Sequence, residues 1–353
     1  MKMVSNMMNN RVLAMVTMGL FLLSLSGQCY GGVVLQPANS YYNKKCTITT
    51  PGFWPLFKSQ TTQVNVEATV KTVVKAAFTK DPTIVAALLR LQFHDCFVKG
   101  CDASLLLDGK QSEKNAGPNL SVRGYDLIDT IKKSLESKCR QVVSCADIIA
   151  IATRDAVSLA SGGKVNYGVE GGRLDGKVSK ASNVDLPPPS ISVSNSIKAF
   201  QKKGLGVNDM VYLLGGHTVG VAHCTIFQDR LYNFNGTKKA DPTMDSLLVK
   251  SLKSKCPQKP NPANTVFLDQ TPGSSMVVDK AFFNQLVKKR GVLKIDQDLA
   301  IDKQTKNVVT QLANGDAYNF AQKFGQAMVK LGRVEVITDK TKGEIRRSCR
   351  VTN

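Results

Sequence analysis

Between Asp81 and Asp108 the chain reads DPTIVAALLRLQFHDCFVKGCDASLLLD, and no other stretch restricts the fold as much. From Thr83 to Val98 apolar residues fall almost all the way round at helical spacing, the pattern of a buried helix. Asp81 is placed to cap its N-terminus and Pro82 to take the first helical position. Into this helix the sequence sets Arg90 and His94, four residues apart, so both leave one face a turn from each other. Burying a cation beside an imidazole costs on the order of several kcal/mol unless the site uses both. The run then reaches Asp95, Gly100, Asp102 and Ser104, short oxygen side chains around a glycine turn. Acid–base chemistry and hard-cation chemistry therefore stand side by side.

Residues 1–31 read as a secretory leader: Lys2 and Arg11 precede the apolar run Val12 to Leu25, and small and polar residues follow to a cleavage point near Gly31. That run is short for a membrane span and no later stretch is long and apolar enough, so the mature chain is expected to be soluble and exported. Of nine cysteines Cys29 falls in the leader, leaving eight for an oxidising compartment and hence four disulfides, whose pairing spacing alone does not assign. A zinc site at His94, Cys96 and Cys101 competes, but no CxxC pair or second histidine lies near. The formal charge of +20 reads as a solvated surface or as attraction to an acidic matrix. A nucleic-acid partner is not expected, since no binding motif is present.

Beyond Asn65 nearly every segment reads as helix: Val66–Lys80, Ser121–Lys138, a helix through Ala160 capped by Ser144 with Asp147, Ser194–Lys203, Asn208–Leu214, and then 222–233, 244–255, 279–290 and 307–331. Convincing alternating strands are absent, so the fold class is mainly α, with residues 32–353 as one domain. Of three histidines, Arg90 on its face lifts His94 above an ordinary core histidine. His217 follows Gly215-Gly216 where one helix ends and another begins, and His223 reads as a surface or capping residue.

The distal stretch LLRLQFHDCFVKGCDASLLLD, together with GGHTVGVAHC around His217, resembles the plant secretory (class III) haem peroxidases. VVSCADIIAIATRDAV, GGRLDG, DLPPPS, DRLYNFNGTKKADPTMD, GVLKIDQDL and GEIRRSCRVTN extend the resemblance over nearly the whole mature chain. It implies two helical halves sandwiching one haem b. His217 would be the iron ligand, and Asp296 would accept the other N–H of that ring, making it more electron-donating. His94 would be the distal acid–base residue, Arg90 the distal cation, Phe93 part of the distal wall and Asn119 the group holding the His94 ring. Pro187 matches the position whose backbone meets small aromatic substrates. Neutral His94 can take a proton from hydrogen peroxide and return it to the departing oxygen, while Arg90 stabilises the charge that develops there. Phenolic donors would then each give up one electron.

The resemblance also implies two calcium ions. Asp95, Val98, Gly100, Asp102 and Ser104 match the first site, Val98 and Gly100 through backbone carbonyls. Thr218, Asp269 and Asp279 match the second, with either Thr271 or Ser274 as the hydroxyl, because DQTPGSSMVVD is longer than the family spacing. Disulfides Cys46–Cys139, Cys96–Cys101, Cys145–Cys349 and Cys224–Cys256 are implied as well.

Three features depart from the family. Residues 47–64, with the single tryptophan Trp54, are an additional stretch, either an insertion loop or an unspliced segment. Tyr167 stands near the place of a usual tryptophan, and the loop from the GPNL of 117–120 to Arg123 is slightly short. Asn119-Leu120-Ser121 and Asn235-Gly236-Thr237 both fit the glycosylation pattern, of which Asn235 is the credible acceptor. The expected protein is a monomeric, secreted peroxidase of the cell wall, or alternatively the vacuole, without membrane or nucleic-acid partners. A non-catalytic module binding acidic wall polysaccharide is the competing reading from another class.

Overall fold

Helices carry the architecture because the apolar residues repeat at helical spacing through most of the chain. The computed structural model describes residues 35–50 and 59–353. The leader expected over residues 1–31, Cys29 within it, and Trp54 lie outside the described residues. In chain order the α-helices are α1 Ala38–Tyr42, α2 Val66–Lys80, α3 Ile84–Lys99, α4 Tyr125–Glu136, α5 Cys145–Ala160, α6 Val193–Lys202 and α7 Val207–Leu214. They continue as α8 Gln228–Tyr232, α9 Ser246–Lys255, α10 Ala281–Val287, α11 Lys294–Leu299, α12 Lys306–Asn314 and α13 Ala317–Leu331.

One half is built on α5. Its small residues Ala146, Ala150, Ala152 and Ala156 are buried together with Ile148, Ile149 and Ile151, so neighbours approach it from several sides. α2, α3 and α4 all pack on it. α2 presents Val66, Val70 and Val74, four residues apart, as its buried stripe, and Asn65 caps its first turn by accepting from the Ala68 N–H at 2.9 Å. The other half joins α7 to α6 and α13, and α10 to α12. Its core is a run of stacked and edge-on rings, Phe282, Phe283, Phe320 and Phe324, with successive centroids 5.4, 5.9 and 5.5 Å apart.

α3 begins later than the sequence suggests. Thr83, not Asp81, is its N-cap residue; Asp81 caps the C-terminus of α2 and turns its carboxylate onto the Thr83 N–H at 2.9 Å. The tight Asp-Pro link spends that side chain on the turn between helices. Ser144 caps α5 through the Asp147 N–H at 3.1 Å, but the Asp147 carboxylate does not return to Ser144. It takes the Tyr42 hydroxyl and pairs with Arg173 at 2.8 Å, a buried ion pair. Asp175 of GGRLDG accepts from Cys145 N at 3.1 Å and Ala146 N at 2.9 Å, where the positive end of α5 favours an anion.

Two expected helices are interrupted. The stretch 307–331 breaks at Gly315, where Asp316 caps α13 through the Asn319 N–H at 2.7 Å. In 222–233 the only α-helix is α8, after a 3₁₀ turn at Cys224–Ile226, because β5 (Val221–His223) pairs antiparallel with β6 (Thr265–Phe267). Strands, absent from the sequence reading, also form β1 (Gln36–Pro37) with β4 (Glu170–Gly171) and β2 (Thr47–Thr50) with β3 (Gln60–Gln63). They are two-residue to four-residue ribbons and leave the fold mainly α. The β2–β3 ribbon is formed by the two ends of the additional stretch, in register from Thr47 opposite Gln63 to Thr50 opposite Gln60.

Four disulfides close the chain on itself: Cys46–Cys139, Cys96–Cys101, Cys145–Cys349 and Cys224–Cys256. These are the pairings the family resemblance implies. Among the described residues no helix is long and apolar enough to cross a membrane.

Candidate active site

α3 is buried from Ile84 to Val98 apart from Ala86, Leu89, Arg90 and Phe93, and the chemistry lies along that face. Ala86, Arg90 and His94 lie at i, i+4 and i+8, one above another. His94 is 9% exposed, and its Nδ1 meets the Asn119 Oδ1 at 2.6 Å. The Asn119 amide cannot present its nitrogen there, because Nδ2 donates to the Glu113 carbonyl at 2.8 Å. His94 therefore carries its proton on Nδ1 and keeps a lone pair on Nε2, which accepts from Arg90 Nε at 3.2 Å. Burial lowers the His94 pKa from 6.5 to about 4; the Asn119 bond raises it and the Arg90 charge lowers it further. The ring is thus neutral at ordinary pH.

Arg90 stands on the accessible face of α3, yet burial is the first cause that lowers its pKa. Its guanidinium is fixed at the rim by Pro118 O at 2.9 Å and by Ser121 Oγ at 3.1 Å, so hydrogen bonds from the 117–121 turn hold it without full desolvation. Phe93, half-buried, stacks on Phe97 with centroids 4.6 Å apart and stands edge-on to His94 at 6.2 Å.

His217 sits in the short 3₁₀ turn Gly215–Thr218 that ends α7. The turn exists because side chains leave no room: a Cβ on Gly215 would lie 3.0 Å from Phe283 and 3.1 Å from Phe320. His217 Nδ1 is 2.8 Å from the buried Asp296 Oδ1 in α11, which leaves Nε2 as the lone-pair nitrogen. Burial pulls the His217 pKa down, but the Asp296 carboxylate outweighs it through charge and hydrogen bond, and the net shift is upward. Arg90 is near enough to act on the same ring and opposes the rise. The α3 line also meets this segment directly, since a Cβ on Gly220 would stand 2.9 Å from the Ala86 Cβ.

Behind His94 lies a group of buried oxygens. Asp95 accepts from Ala103 N at 3.0 Å through one oxygen, and Asp102 from Ser104 N at 2.9 Å. Asp95 Oδ1, Ser104 Oγ and both Glu113 carboxylate oxygens are buried without a hydrogen-bond partner among the described residues. Desolvation first and the Asp102 charge second raise Asp95 well above the carboxylate range and push Glu113 up to about 7. Unpartnered hard oxygens with mutually repelling carboxylates fit a hard cation. Gly100 turns this loop at φ 99°. A zinc site is overturned: Cys96 and Cys101 are bonded to each other and offer no thiolate beside His94.

The second cluster also comes together. Asp279 is close enough for its charge to help raise the Asp269 pKa, after desolvation, and Asp269 Oδ2 is buried without a partner among the described residues. Ser274 Oγ donates to Asp279 at 2.8 Å, Thr271 Oγ1 accepts from Gln285 at 2.9 Å, and Thr218 Oγ1 donates to Val277 O at 3.1 Å. Pro187 is half-buried in a segment tied to α11 by the Ile295 N–H to Pro189 O bond of 3.1 Å.

Sequence reasoning missed two participants. Glu113 lies in none of the motifs quoted above, yet it is fully buried and its carbonyl orients Asn119. Arg346, inside the quoted GEIRRSC, is buried and donates to Ala103 O at 3.0 Å and Gly176 O at 2.8 Å, backing the oxygen cluster with a positive charge.

A mainly helical fold with four disulfides, a carboxylate-backed histidine and an Arg–His–Asn set fits a haem-dependent peroxidase. The family model described as Peroxidase matches residues 70–315, and the chain belongs to that family, among the plant class III enzymes. It is 51% identical to Peroxidase 60 of Arabidopsis thaliana over 335 residues, 95% of this chain and 94% of that one. It is 50% identical to Peroxidase 57 of the same plant, over 81% of this chain and 88% of that one. With Peroxidase 44 it shares 48% identity over 81% of this chain and 89% of the relative. The chain is accordingly a haem peroxidase that acts on hydrogen peroxide and a donor substrate.

Proposed function

We propose that this peroxidase is a secreted, monomeric enzyme of residues 32–353 that oxidises phenolic donors, with His94 as acid–base residue, Arg90 as its cation and His217 as the haem ligand. The observation that carries the assignment is the fixed tautomer of His94, whose Nε2 lone pair faces the Arg90 guanidinium and accepts from its Nε at 3.2 Å. His217 Nε2, with Asp296 holding the opposite nitrogen, fits an iron ligand. Haem b bound there supplies the redox chemistry by which peroxide oxidising equivalents pass to donors.

The chain's own work is proton handling and positioning. His94 Nε2 takes the proton from one peroxide oxygen and delivers it to the other as the O–O bond opens, so the departing oxygen leaves as water. Arg90 stabilises negative charge on that oxygen. Asn119 keeps Nδ1 protonated so that the base is always Nε2. Two phenols then supply one electron and one proton each, and the second water forms. Phe93 would wall the peroxide side, and the segment at Pro187 would meet the phenol.

Two calcium ions complete the reading, the first on Asp95, Val98, Gly100, Asp102 and Ser104. For the second, on Thr218, Asp269 and Asp279, the Ser274 hydroxyl is supported over Thr271 because it already reaches the Asp279 carboxylate. The leader favours export to the wall, and the charge of +20 favours acidic polysaccharide there. Asn235 is exposed at the tip of a turn with φ 50°, whereas Asn119 is 2% exposed and engaged, so a glycan would be carried at Asn235.

Absorption and peroxide-dependent guaiacol oxidation of the purified protein test the assignment. A Soret band with turnover that His94→Ala slows by about a thousandfold is expected. A colourless, folded protein would instead favour the polysaccharide-binding module, and His94→Ala at full activity would remove the proton role.

A further inference from the structure

Lys203 closes α6 and has no part in the chemistry above. Its ammonium reaches the end of α3, donates to the Val98 carbonyl at 3.1 Å and pairs with Glu335 at 2.8 Å. Val98 lies in the last turn of α3, whose carbonyls lack partners within the helix, so capping alone would explain the first bond. It does not explain Glu335. That residue holds φ 46°, a left-handed conformation that costs a residue with a side chain on the order of 1 kcal/mol. Its carbonyl presses on Gly100 so closely that a Cβ there would lie 2.3 Å away, and the neighbouring Val334 O takes the Cys101 N–H at 3.0 Å. A strained backbone thus delivers an anion to the ammonium, and both groups bear on the loop whose oxygens form the first calcium site.

We propose that the Lys203–Glu335 pair sets how tightly that site holds calcium. An ammonium on a ligand carbonyl draws on the same electron density as the ion and repels it, while the Glu335 carboxylate offsets that charge. The Lys203 side chain is 15% exposed and that of Glu335 48%, so the cation is the less screened partner. Removing one charge at a time therefore moves affinity in opposite directions. The inference rests on reading Asp95, Val98, Gly100, Asp102 and Ser104 as calcium ligands.

The test uses the full mature haem protein as wild type, Lys203→Met, Glu335→Gly, the double variant and Asp102→Asn, with calcium affinity from chelator competition and bound metal counted directly. Lys203→Met should tighten severalfold the binding of the ion that Asp102→Asn removes, Glu335→Gly should weaken it severalfold, and the double variant should return close to wild type. Equal affinities in all of these, or both single variants moving the same way, overturn the proposal. Asp102→Asn reports on the site itself: undiminished calcium content there would sink the ligand reading and the tuning with it. Should Lys203→Met fail to fold, the sign of a Glu335→Gln change decides alone, since glutamine keeps the side-chain shape and the backbone and removes only the charge.

Discussion

The Asn119 side chain is bonded at both ends: its oxygen meets His94 Nδ1 at 2.6 Å and its nitrogen donates to the Glu113 carbonyl at 2.8 Å. One backbone carbonyl thereby fixes the amide, the amide fixes the imidazole tautomer, and the lone pair ends up on the nitrogen that faces Arg90. Glu113 is in turn buried near Asp102, so proton chemistry and the oxygen cluster are mechanically linked through a short loop.

Replacing Asn119 with Val should remove the anchor without removing the base. The freed ring samples both tautomers and orientations, and loss of such an orienting bond typically costs about 10–100-fold. Stopped-flow measurement of the first oxidation step should show that slowing, with an unchanged resting spectrum. Wild-type kinetics would mean that packing alone holds His94.

The pH dependence follows from the same ring. With its pKa lowered to about 4, His94 is an available base above that value, and the rate of the first step should fall about tenfold per unit below it. The Arg90 charge contributes to the lowering, so Arg90→Leu should move the acid limb to higher pH while slowing the plateau. Stability shares the sign: the unfolded ring binds protons from 6.5 downward and the folded ring only near 4, so folding weakens as pH drops through that window. A limb that stays in place in Arg90→Leu would assign it to another group.

On the other side, Asp296→Asn keeps a hydrogen-bonding shape but removes the charge that raises the His217 pKa. The less electron-donating ring should shift the iron reduction potential positive and slow turnover by about 10–100-fold. Spectroelectrochemical titration reads the shift, and an unmoved potential would leave Asp296 a purely structural role.

Much of this was legible before any coordinates, because long apolar repeats write helices directly into the chain: α2 falls at Val66–Lys80, and Arg90 and His94 meet across one turn. What stayed hidden depended on partners distant in sequence. Asp81 reads as a cap until the turn claims its carboxylate, and 307–331 reads as one helix until Gly315 and Asp316 divide it. The anchoring of Arg90 comes from the 117–121 turn, which no periodicity on α3 encodes. Glu113 and Lys203 looked like ordinary surface charges; burial and the Val98 carbonyl give them their meaning. The cysteine pairs, open by spacing, came only through family resemblance.

Calcium removal should be felt at both the fold and the chemistry. Asp95 is fully buried beside Asp102, so without a cation two carboxylates must either repel or take up protons, as the raised Asp95 pKa indicates. At a hundredfold excess over its dissociation constant, one ion contributes about 2.7 kcal/mol, which for a chain of this size is a melting shift of several degrees. Asp95 directly follows His94 on α3, so loosening that turn should also slow peroxide cleavage. Differential scanning with and without chelator measures the first effect and stopped-flow the second. Asp95→Asn should abolish the share of the chelator response due to this site; a variant that melts and responds to chelator as wild type does would remove Asp95 from the coordination sphere.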